Sequence, residues 1–405
     1  MKPIVRAGRM KPVHSDIRGP LFVEAMKRQK QGIDILKLNT GNPATFGFGL
    51  PDSIKNALME HMQDGVGYCD FKGMPQARQA ICDYETSKGI KGITPDDVFI
   101  GNGVSEVVSF ALTPLLNDGD EVLVPSPSYS LWGNSVYLED GKPVFYTCDE
   151  QANWYPDIQD IRSKITDKTK AIVIINPNNP TGVLYPKELL LEIIQVARES
   201  GLLIFADEIY DRLVMDGKQH ISLASLTEDV PVITLNGLSK SHCLCGYRCG
   251  WMVISGPREL TEDYRQGIIQ LTSLRLCANT MAQIVIPAAL DDMETPASMV
   301  RPGGRIYEQR EATVRELEKI DGLSFVKNDA AFYVFPKLDV KKFNITNDKQ
   351  FAHDLLDATN ILLVPGSGFD WKDPDHLRIV MLPQADILSD AIRRMGTFLD
   401  GYKQK

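Results

Sequence analysis

Short apolar runs alternate with helical segments from residue 95 to residue 255, and this alternation restricts the possible folds more than any other feature of the chain. The runs cover residues 97–100, 121–124, 171–175, 202–206, 232–235 and 251–254. Strands that are apolar along their length and separated by helices are typical of a mostly parallel sheet with helices on both faces. The sequence therefore predicts an α/β fold with such a sheet at its centre.

Two of the segments between the runs have the spacing of helices with one buried face. Residues 108–115 and 190–197 both place apolar side chains at positions i, i+3, i+4 and i+7, and the second segment is bounded by Pro186 and Gly201. Proline favours the start of a helix and glycine the position after its end. Both segments are therefore predicted to be helices that pack against the sheet.

The pattern changes after residue 290. A polar, glycine-containing break at 301–304 precedes a charged helical pattern at 307–320, and β-type runs follow at 332–335 and 361–364. These segments predict a second, smaller α/β unit.

Charge and cysteine content narrow the function. The 405-residue chain has a net charge of −9, whereas binding to nucleic acid or to a membrane surface needs an excess of Lys and Arg. No apolar stretch of leader or membrane-spanning length is present, so we expect a cytoplasmic protein. The seven cysteines form no paired framework, and Cys243, Cys245 and Cys249 lack the spacing of a metal site, so we expect reduced thiols and no metal.

Two loops with small and amide residues follow predicted strands. Residues 101–106 suit either an anion held at a helix N-terminus, with a donor from Ser105, or a plain turn capped by Ser105. Residues 176–182 place Asn179 at the carboxyl end of a parallel strand, where α/β sheets bind ligands.

Charged residues also stand at predicted strand ends. Asp207 follows the run 202–206, with Tyr210 three residues later, and taken alone these two read as a helix cap and a packing residue. Lys240 lies just beyond the run 232–235, and Arg248 follows it. A lysine that is partly desolvated near another cation has a lowered pKa and can act as an amine nucleophile.

In this order and at these spacings, the motifs resemble those of fold-type I, class I aminotransferases, which depend on pyridoxal 5'-phosphate (PLP). The resemblance runs from Leu38-Asn39-Thr40-Gly41-Asn42-Pro43 to His376-Leu377-Arg378-Ile379. Within that family the chain is most similar to bacterial alanine (glutamate–pyruvate) aminotransferases. The motifs behind that similarity are Asp16-Ile17-Arg18-Gly19-Pro20, Gly67-Tyr68-Cys69-Asp70, Arg275-Leu276-Cys277-Ala278-Asn279 and Pro302-Gly303-Gly304-Arg305.

The resemblance implies the PLP-transferase fold type I. Residues 45–290 would form the large PLP-binding domain, with the mostly parallel sheet between helices. Residues 1–44 and 291–405 would form a smaller α/β domain, and its N-terminal segment would cover the site.

The resemblance also implies roles around the cofactor. Lys240 would bind PLP covalently and, once released by the substrate amine, would move the proton between the substrate Cα and the cofactor. Asp207 would keep the ring nitrogen protonated, which preserves the ring as an electron sink. The other contacts implied are hydrogen bonds from Tyr210 and Asn179 to the phenolic oxygen, a stack of Tyr129 on the ring, and a phosphate site formed by Gly103, Val104, Ser105, Ser239 and Arg248.

For the substrate, the resemblance implies that Arg378 binds the α-carboxylate with help from Gly41 and Asn179. Arg18 is either a residue that meets the distal carboxylate of glutamate or an ordinary solvent-exposed arginine. Tyr68 matches a tyrosine that reaches the phosphate of the neighbouring subunit, which implies a homodimer with shared active sites. The reaction implied is ping-pong transfer of an amino group from alanine to 2-oxoglutarate, which gives pyruvate and glutamate.

Two segments depart from the family pattern. Many relatives have a phosphate-binding Ser three residues before the lysine, where this chain has Gly237, and Ser239 is the candidate replacement. The stretch 242–245, His-Cys-Leu-Cys, replaces residues that are often bulkier in relatives.

Other functions share part of this pattern. Aminotransferases of aspartate, aromatic or branched-chain amino acids, and PLP-dependent C–S β-lyases, have the same lysine and ring-binding set. A PLP-sensing transcription regulator is disfavoured because the residues before Gly41 offer no helix-turn-helix. A nicotinamide oxidoreductase is disfavoured because no G-x-G-x-x-G opens a strand–helix unit at the expected place.

Overall fold

The structure is a computed structural model that describes residues 2–405. The helices are α1 (Pro20–Lys30), α2 (Asp52–His61), α3 (Pro75–Ser87), α4 (Val104–Leu112), α5 (Leu131–Leu138), α6 (Ile158–Lys164), α7 (Lys187–Ser200), α8 (Leu238–Ser241), α9 (Arg258–Arg275), α10 (Thr280–Ile284), α11 (Ile286–Asp291), α12 (Glu294–Val300), α13 (Arg305–Leu317), α14 (Asp348–Thr359) and α15 (Ala385–Asp400). The strands are β1 (Leu36–Lys37), β2 (Val98–Asn102), β3 (Glu121–Ser126), β4 (Lys142–Asp149), β5 (Tyr155–Pro156), β6 (Thr169–Ile175), β7 (Leu203–Asp207), β8 (Val232–Gly237), β9 (Cys249–Ser255), β10 (Leu323–Ser324), β11 (Tyr333–Val334), β12 (Lys337–Leu338), β13 (Ile361–Leu362), β14 (Val364–Pro365) and β15 (Leu377–Val380). Short 3-10 turns occur at Gly8–Met10, Asp16–Arg18, Pro43–Phe46, Met62–Gly65, Pro95–Asp97, Glu150–Ala152, Leu223–Leu226 and Gly366–Phe369.

The main sheet has eight strands in the order β2-β9-β8-β7-β6-β3-β4-β5. All neighbours from β8 to β4 are parallel. Strand β9 runs antiparallel to both β2 and β8, and β5 runs antiparallel to β4. The predicted α/β fold with a mostly parallel sheet is therefore confirmed, and the antiparallel pairs lie towards its two edges.

Helices cover both faces of this sheet. Along β6, Ile172 and Ile174 pack in a core with α6 and α7, whereas Val173 and Ile175 face the opposite core with α4, α5 and α9. Because successive side chains of a strand point to opposite faces, a strand buried on both sides must be apolar throughout. This requirement explains why the central strands were readable from the sequence.

The two helices predicted from apolar spacing form at the expected places, with one difference. Helix α7 ends before Gly201, which has the left-handed backbone of a helix C-terminus with φ 64°. Helix α4 ends at Leu112, earlier than the predicted 115, because Pro114 has no backbone N–H to continue the helical hydrogen bonds.

Strand β4 was not predicted from the sequence. It lies next to the edge strand β5, and its side chains alternate between buried and partly exposed positions. Its sequence therefore lacks the continuous apolar run by which its neighbours were recognised.

The C-terminal residues form small sheets packed against α13, α14 and α15. Their core includes Leu317, Leu355, Ile379 and Leu388. Strand β1 pairs in parallel with β13, so the N-terminal segment joins this part of the molecule. This pairing supports our proposed division into 45–290 and a smaller unit made of 1–44 and 291–405.

The predicted run 361–364 is divided into two strands. Strand β13 pairs with β1 and strand β14 pairs with β15, so the chain changes partner at Leu363. Among residues 2–405, no single helix is long and apolar enough to cross a membrane. Helix α9 and the segment α10–α11 reach that length and apolar composition only when taken together, and they are bent by 119° where they meet.

Candidate active site

A cleft of about 670 Å³ opens where the carboxyl ends of β6, β7 and β8 meet the N-terminal segment and the C-terminal unit. Most of the predicted site residues line it: Arg18, Gly41, Val104, Ser105, Tyr129, Asn179, Asp207, Tyr210, Ser239, Lys240, Arg248 and Arg378. Gly103 lies directly behind the lining, whereas Tyr68 lies outside this cleft.

Asp207 is the last residue of β7 and is 5% exposed. Its Oδ2 accepts a hydrogen bond from the indole Nε1 of Trp132 at 3.1 Å, and Oδ1 accepts a long one from the Ile209 N–H at 3.4 Å. Burial raises the pKa of Asp207 to about 6, and these donors limit the rise. The carboxylate is thus held at the sheet edge with a strong preference for a cationic or protonated partner.

Lys240 lies in the one-turn helix α8 that follows β8. Its Nζ donates to the Gly41 carbonyl at 2.9 Å and lies 3.9 Å from the Cys245 sulfur. The expected lowering of the lysine pKa is wrong for this structure. Burial does lower it, but the surrounding acidic groups of Tyr333, Cys245 and Tyr129 outweigh burial and raise the Lys240 pKa overall.

Tyr210 is fully enclosed at the cleft floor. Its hydroxyl shares a 2.9 Å hydrogen bond with that of Tyr333, and burial raises the pKa of Tyr210 well above its usual value. A phenol that stays protonated is a hydrogen-bond donor over the whole physiological pH range. Tyr333 also limits the space at Gly41, because a Cβ at residue 41 would collide with the Tyr333 hydroxyl.

Arg378 lies on β15 and is 1% exposed. Its guanidinium carbon sits 4.6 Å from the ring centres of both Tyr333 and Phe369, and its N–H groups donate to Asn179 Oδ1 at 3.0 Å and to the Asn39 carbonyl. No carboxylate of the described chain lies within ion-pair distance, and its Nε is buried without a partner there. A buried guanidinium with a free donor is suited to bind a carboxylate supplied by a ligand.

The loop 176–182 holds Asn179 against this arginine. Asn178 Oδ1 accepts from the Thr181 hydroxyl at 2.9 Å, and Asn176 Oδ1 accepts from the Tyr185 N–H at 2.9 Å. These bonds fix the backbone, so the Asn179 side chain is available to the cleft and to Arg378.

The anion corner is formed by the start of α4 and by Arg248. Helix α4 begins after Gly103, whose φ is 84°, and no side chain caps it. The alternative of a turn capped by Ser105 is therefore wrong, since Ser105 lies inside the helix. The Arg248 guanidinium packs directly against Gly103, where any side chain would collide with it, and no carboxylate among the residues described pairs with Arg248. A helix N-terminus beside a free guanidinium favours a phosphate group.

The remaining four predicted residues lie at different depths relative to the cleft. Tyr129 and Ser239 line the inner cleft, while Arg18 lies at its mouth and is exposed. Tyr68 is 83% exposed on the outer surface, so within one chain it is not brought to the site.

Sequence reasoning missed Trp132, Tyr333 and Cys245. Trp132 lies three residues after Tyr129, and Tyr333 lies in a run read only as a strand, so neither gave a signal of its own. Cys245 belongs to the unusual stretch 242–245, and its small thiol fits between Lys240 and the Ser239 carbonyl, to which it donates at 2.9 Å.

Together, the residues that line the cleft match the chemical groups of PLP. Asp207 offers a buried carboxylate to a protonated ring nitrogen, Lys240 offers an amine to an aldehyde, and the uncapped α4 with Arg248 offers donors to a phosphate. Asp207 ends β7, while α8 with Lys240 and α4 follow the carboxyl ends of β8 and β2 in the same sheet.

Gly237, the first departure from the family pattern, is required by packing. A Cβ at this residue would lie 2.6 Å from the Cys249 carbonyl oxygen and 3.1 Å from Gly250 Cα. We expect Gly237→Ser to lower the free energy of unfolding by about 1–3 kcal/mol, because neither backbone atom can move freely. Urea denaturation measures the change. Gly246→Ser is the matched control, since a Cβ there meets nothing within 4 Å; equal stability of the two variants would contradict the packing argument.

The chain is similar in sequence and in fold to known aminotransferases. The family described as aminotransferase class I and II matches residues 33–392. The glutamate-pyruvate aminotransferase AlaA of Haemophilus influenzae is 49% identical over 404 residues, with all of both chains covered. An aminotransferase structure from Escherichia coli has a TM-score of 0.98 at 46% identity with full coverage of both chains, and the alanine aminotransferase structure from Pyrococcus furiosus has 0.92 at 40%, covering 98% of this chain and 100% of that one. The chain therefore belongs to the class I and II aminotransferase family.

Proposed function

We propose that the protein is a PLP-dependent alanine aminotransferase, which transfers the amino group of alanine to 2-oxoglutarate by a ping-pong mechanism. The observation that supports it most is the convergence of Lys240, Asp207 and the unpaired Arg378 in one cleft. The full-length relatives named for alanine or glutamate–pyruvate transamination support the choice of substrates.

PLP, when bound, supplies an electron-withdrawing ring that accepts the electrons released when the substrate Cα–H bond breaks. Asp207 would keep the charge on the ring nitrogen, and Trp132 holds that carboxylate in place through its indole N–H. Tyr210 and Asn179 would hydrogen-bond the phenolic oxygen, Tyr129 would cover the ring, and α4 with Arg248 would hold the phosphate.

Lys240 acts as the attachment point and as the base that removes and returns the Cα proton. Its amine must be neutral for that step. Burial and the nearby Arg378 guanidinium favour the neutral amine, although Tyr333, Cys245 and Tyr129 raise the Lys240 pKa overall. The Gly41 carbonyl, which accepts from Nζ, orients the amine towards the cleft.

Arg378 selects the substrate class. Alanine, glutamate and their 2-oxo acids share an α-carboxylate, which a buried planar guanidinium binds through two parallel hydrogen bonds. Arg18 at the cleft mouth is our candidate for the distal carboxylate of glutamate and 2-oxoglutarate, because it is exposed and lines the same cleft.

Arg378→Lys tests the substrate-binding part of the proposal. Lysine keeps the charge but loses the two-donor geometry, so we expect KM to rise about tenfold or more for both alanine and 2-oxoglutarate. Pyruvate formation, followed with lactate dehydrogenase and NADH, measures it. The exposed Arg394, which pairs with Asp390, gives the control Arg394→Lys.

A donor and acceptor panel on the wild type separates the related reactions. Faster turnover of aspartate, aromatic or branched-chain donors than of alanine would contradict the alanine assignment. Release of pyruvate from cystathionine without a 2-oxo acid would favour the C–S β-lyase instead.

Asp207→Asn tests the role of the buried carboxylate. The amide fills the same volume and its oxygen still accepts from Trp132, so we expect normal folding. It cannot keep the ring nitrogen charged, so kcat should fall by at least about a hundredfold. Circular dichroism and the pyruvate assay measure the two effects, with exposed Asp390→Asn as control; near-normal kcat would overturn the proposed role.

We also propose a homodimer in which Tyr68 reaches the phosphate site of its partner. Met62, Val66 and Tyr68 are exposed on one segment, and Leu274 and Leu276 are exposed on a second. The two segments adjoin each other, because an Arg275 N–H donates to the Phe71 carbonyl at 3.2 Å. Exposed apolar residues on two adjoining segments are typical of a subunit interface.

Mixing two inactive variants tests the shared site. Lys240→Ala lacks the amine, and Tyr68→Ala lacks the crossing hydroxyl, but one site of a hybrid dimer has both. We expect each variant alone to have little activity and the refolded mixture to regain up to about a quarter of wild-type activity, the fraction expected from random pairing. A native mass of 45.1 kDa for the wild type, or a mixture no more active than its parts, would contradict the shared site.

We propose that the protein acts in the cytoplasm. All seven cysteines are unpaired thiols in the structure, which suits a reducing compartment.

A further inference from the structure

A second cluster of buried charges lies beside the active-site turns and has no part in the proposed chemistry. Lys88 Nζ lies 2.6 Å from Glu85 Oε2, 2.8 Å from Glu208 Oε2 and 3.2 Å from Asp211 Oδ2. The lysine is 13% exposed and the carboxylates at most 3%. We call these four residues the Lys88 cluster.

The cluster is interleaved with the catalytic turn after β7. Glu208 follows Asp207 directly, and Asp211 follows Tyr210 directly. The turn thus presents two side chains to the cleft and two to Lys88. The position of the ammonium group therefore affects the positions of Asp207 and Tyr210.

Asn236 extends the cluster to the lysine turn after β8. Its Nδ2 donates to Asp211 at 2.7 Å, and its Oδ1 accepts from the Gly237 N–H at 2.7 Å. Gly237 immediately precedes α8, which bears Lys240.

His220 extends the cluster to the asparagine loop. Burial lowers the pKa of His220, so the ring is neutral at neutral pH. Its Nε2 donates to the Asn176 carbonyl at 3.1 Å and lies 3.9 Å from Glu208 Oε2. The turns after β7 and β8 therefore meet at the Lys88 cluster, and the loop after β6 is connected to it through His220.

We propose that Lys88 is a positioning residue for the reaction: its ammonium group joins the end of α3 to the turns after β7 and β8 and fixes Asp207, Tyr210 and Lys240 relative to one another. The proposal rests on the aminotransferase function proposed above. Three carboxylates at such distances repel one another, and the shared cation is what holds them together.

The other groups that face Lys88 are polar or charged. Tyr84 on α3 donates to Asp211 at 2.5 Å, Trp251 on β9 donates to Glu85 Oε1 at 3.2 Å, and the Arg212 guanidinium stacks 4.3 Å from the Tyr84 ring centre. Burial raises the pKa of Glu85 to about 7, although Lys88 opposes the rise. Because this folded pKa is above that of the unfolded chain, the stability that Glu85 contributes at low pH is lost as the pH rises through about 7.

A double variant separates positioning from folding. Glu85→Gln with Lys88→Gln removes one negative and one positive charge, so the net charge of the cluster is unchanged. Glu208 keeps its donors Ser222 and Leu223, and Asp211 keeps Tyr84 and Asn236. The loss of Lys88 leaves Glu208 and Asp211 without a cation, which lowers stability, whereas the neutral Gln at residue 85 removes one source of repulsion between the carboxylates.

We expect the double variant to remain folded at pH 8 and to unfold at a lower urea concentration than the wild type, so activity is expressed per folded molecule. Its kcat for alanine with 2-oxoglutarate should fall about tenfold or more, with KM changed less than about threefold. The affinity of the apoprotein for PLP, followed by quenching of tryptophan fluorescence, should weaken several-fold. The exposed pair Lys91 and Glu228 gives the matched control, Lys91→Gln with Glu228→Gln. A purely structural cluster would lower stability and leave kcat per folded molecule and PLP affinity unchanged, and that result would overturn the proposal.

Tyr84→Phe keeps the proposal testable if the double variant does not fold. It keeps the ring and removes only the hydroxyl that donates to Asp211. We expect kcat to fall about two- to fivefold, and an unchanged kcat with unchanged PLP affinity would overturn the proposal. The wild type is assayed alongside: a wild type without transamination would defeat the proposed function, whereas an active wild type with unaltered variants would defeat only the role of Lys88.

Discussion

Parallel pairing of β6, β7 and β8 is the constraint on which the rest of the structure depends. Parallel strands end at the same edge of a sheet, so residues that follow three different strands meet in one place. Asn179, Asp207 and Lys240 each follow or end one of these strands. The apolar side chains that bury the sheet on both faces therefore also determine where the polar side chains of the site gather.

Charged side chains in the interior fall into two groups. Arg265 pairs with Asp97 at 2.5 Å and Arg310 with Asp216 at 2.7 Å, and the Lys88 cluster neutralises part of its own charge. Arg378, by contrast, is buried between two rings without a carboxylate partner in residues 2–405. A buried unpaired cation destabilises a fold, so its presence in the cleft indicates a ligand that completes it.

The features predicted correctly from the sequence are those that produce a regular pattern of apolar residues along a short segment. The central strands were recognisable because burial on both faces demands apolar residues throughout, and α7 was recognisable from its stripe and from Gly201. Strand β4 was missed because a partly exposed strand near an edge lacks that run. Trp132 and Tyr333 were missed because their contacts with Asp207 and Tyr210 join residues 75 and 123 positions apart, and such pairs leave no local pattern. The steric need for Gly237 likewise depends on the pairing of β8 with β9, which no local pattern around residue 237 records.

The proposed chemistry requires the amine at residue 240 to be the covalent anchor of the cofactor. The most direct measurement is to incubate the protein with PLP, reduce it with borohydride, which makes a reversible amine–aldehyde link permanent, and locate the label by peptide mass spectrometry. We expect one pyridoxyl phosphate group per chain, on the peptide that contains Lys240. A protein that takes up no label, or takes it up equally on surface lysines, would contradict it.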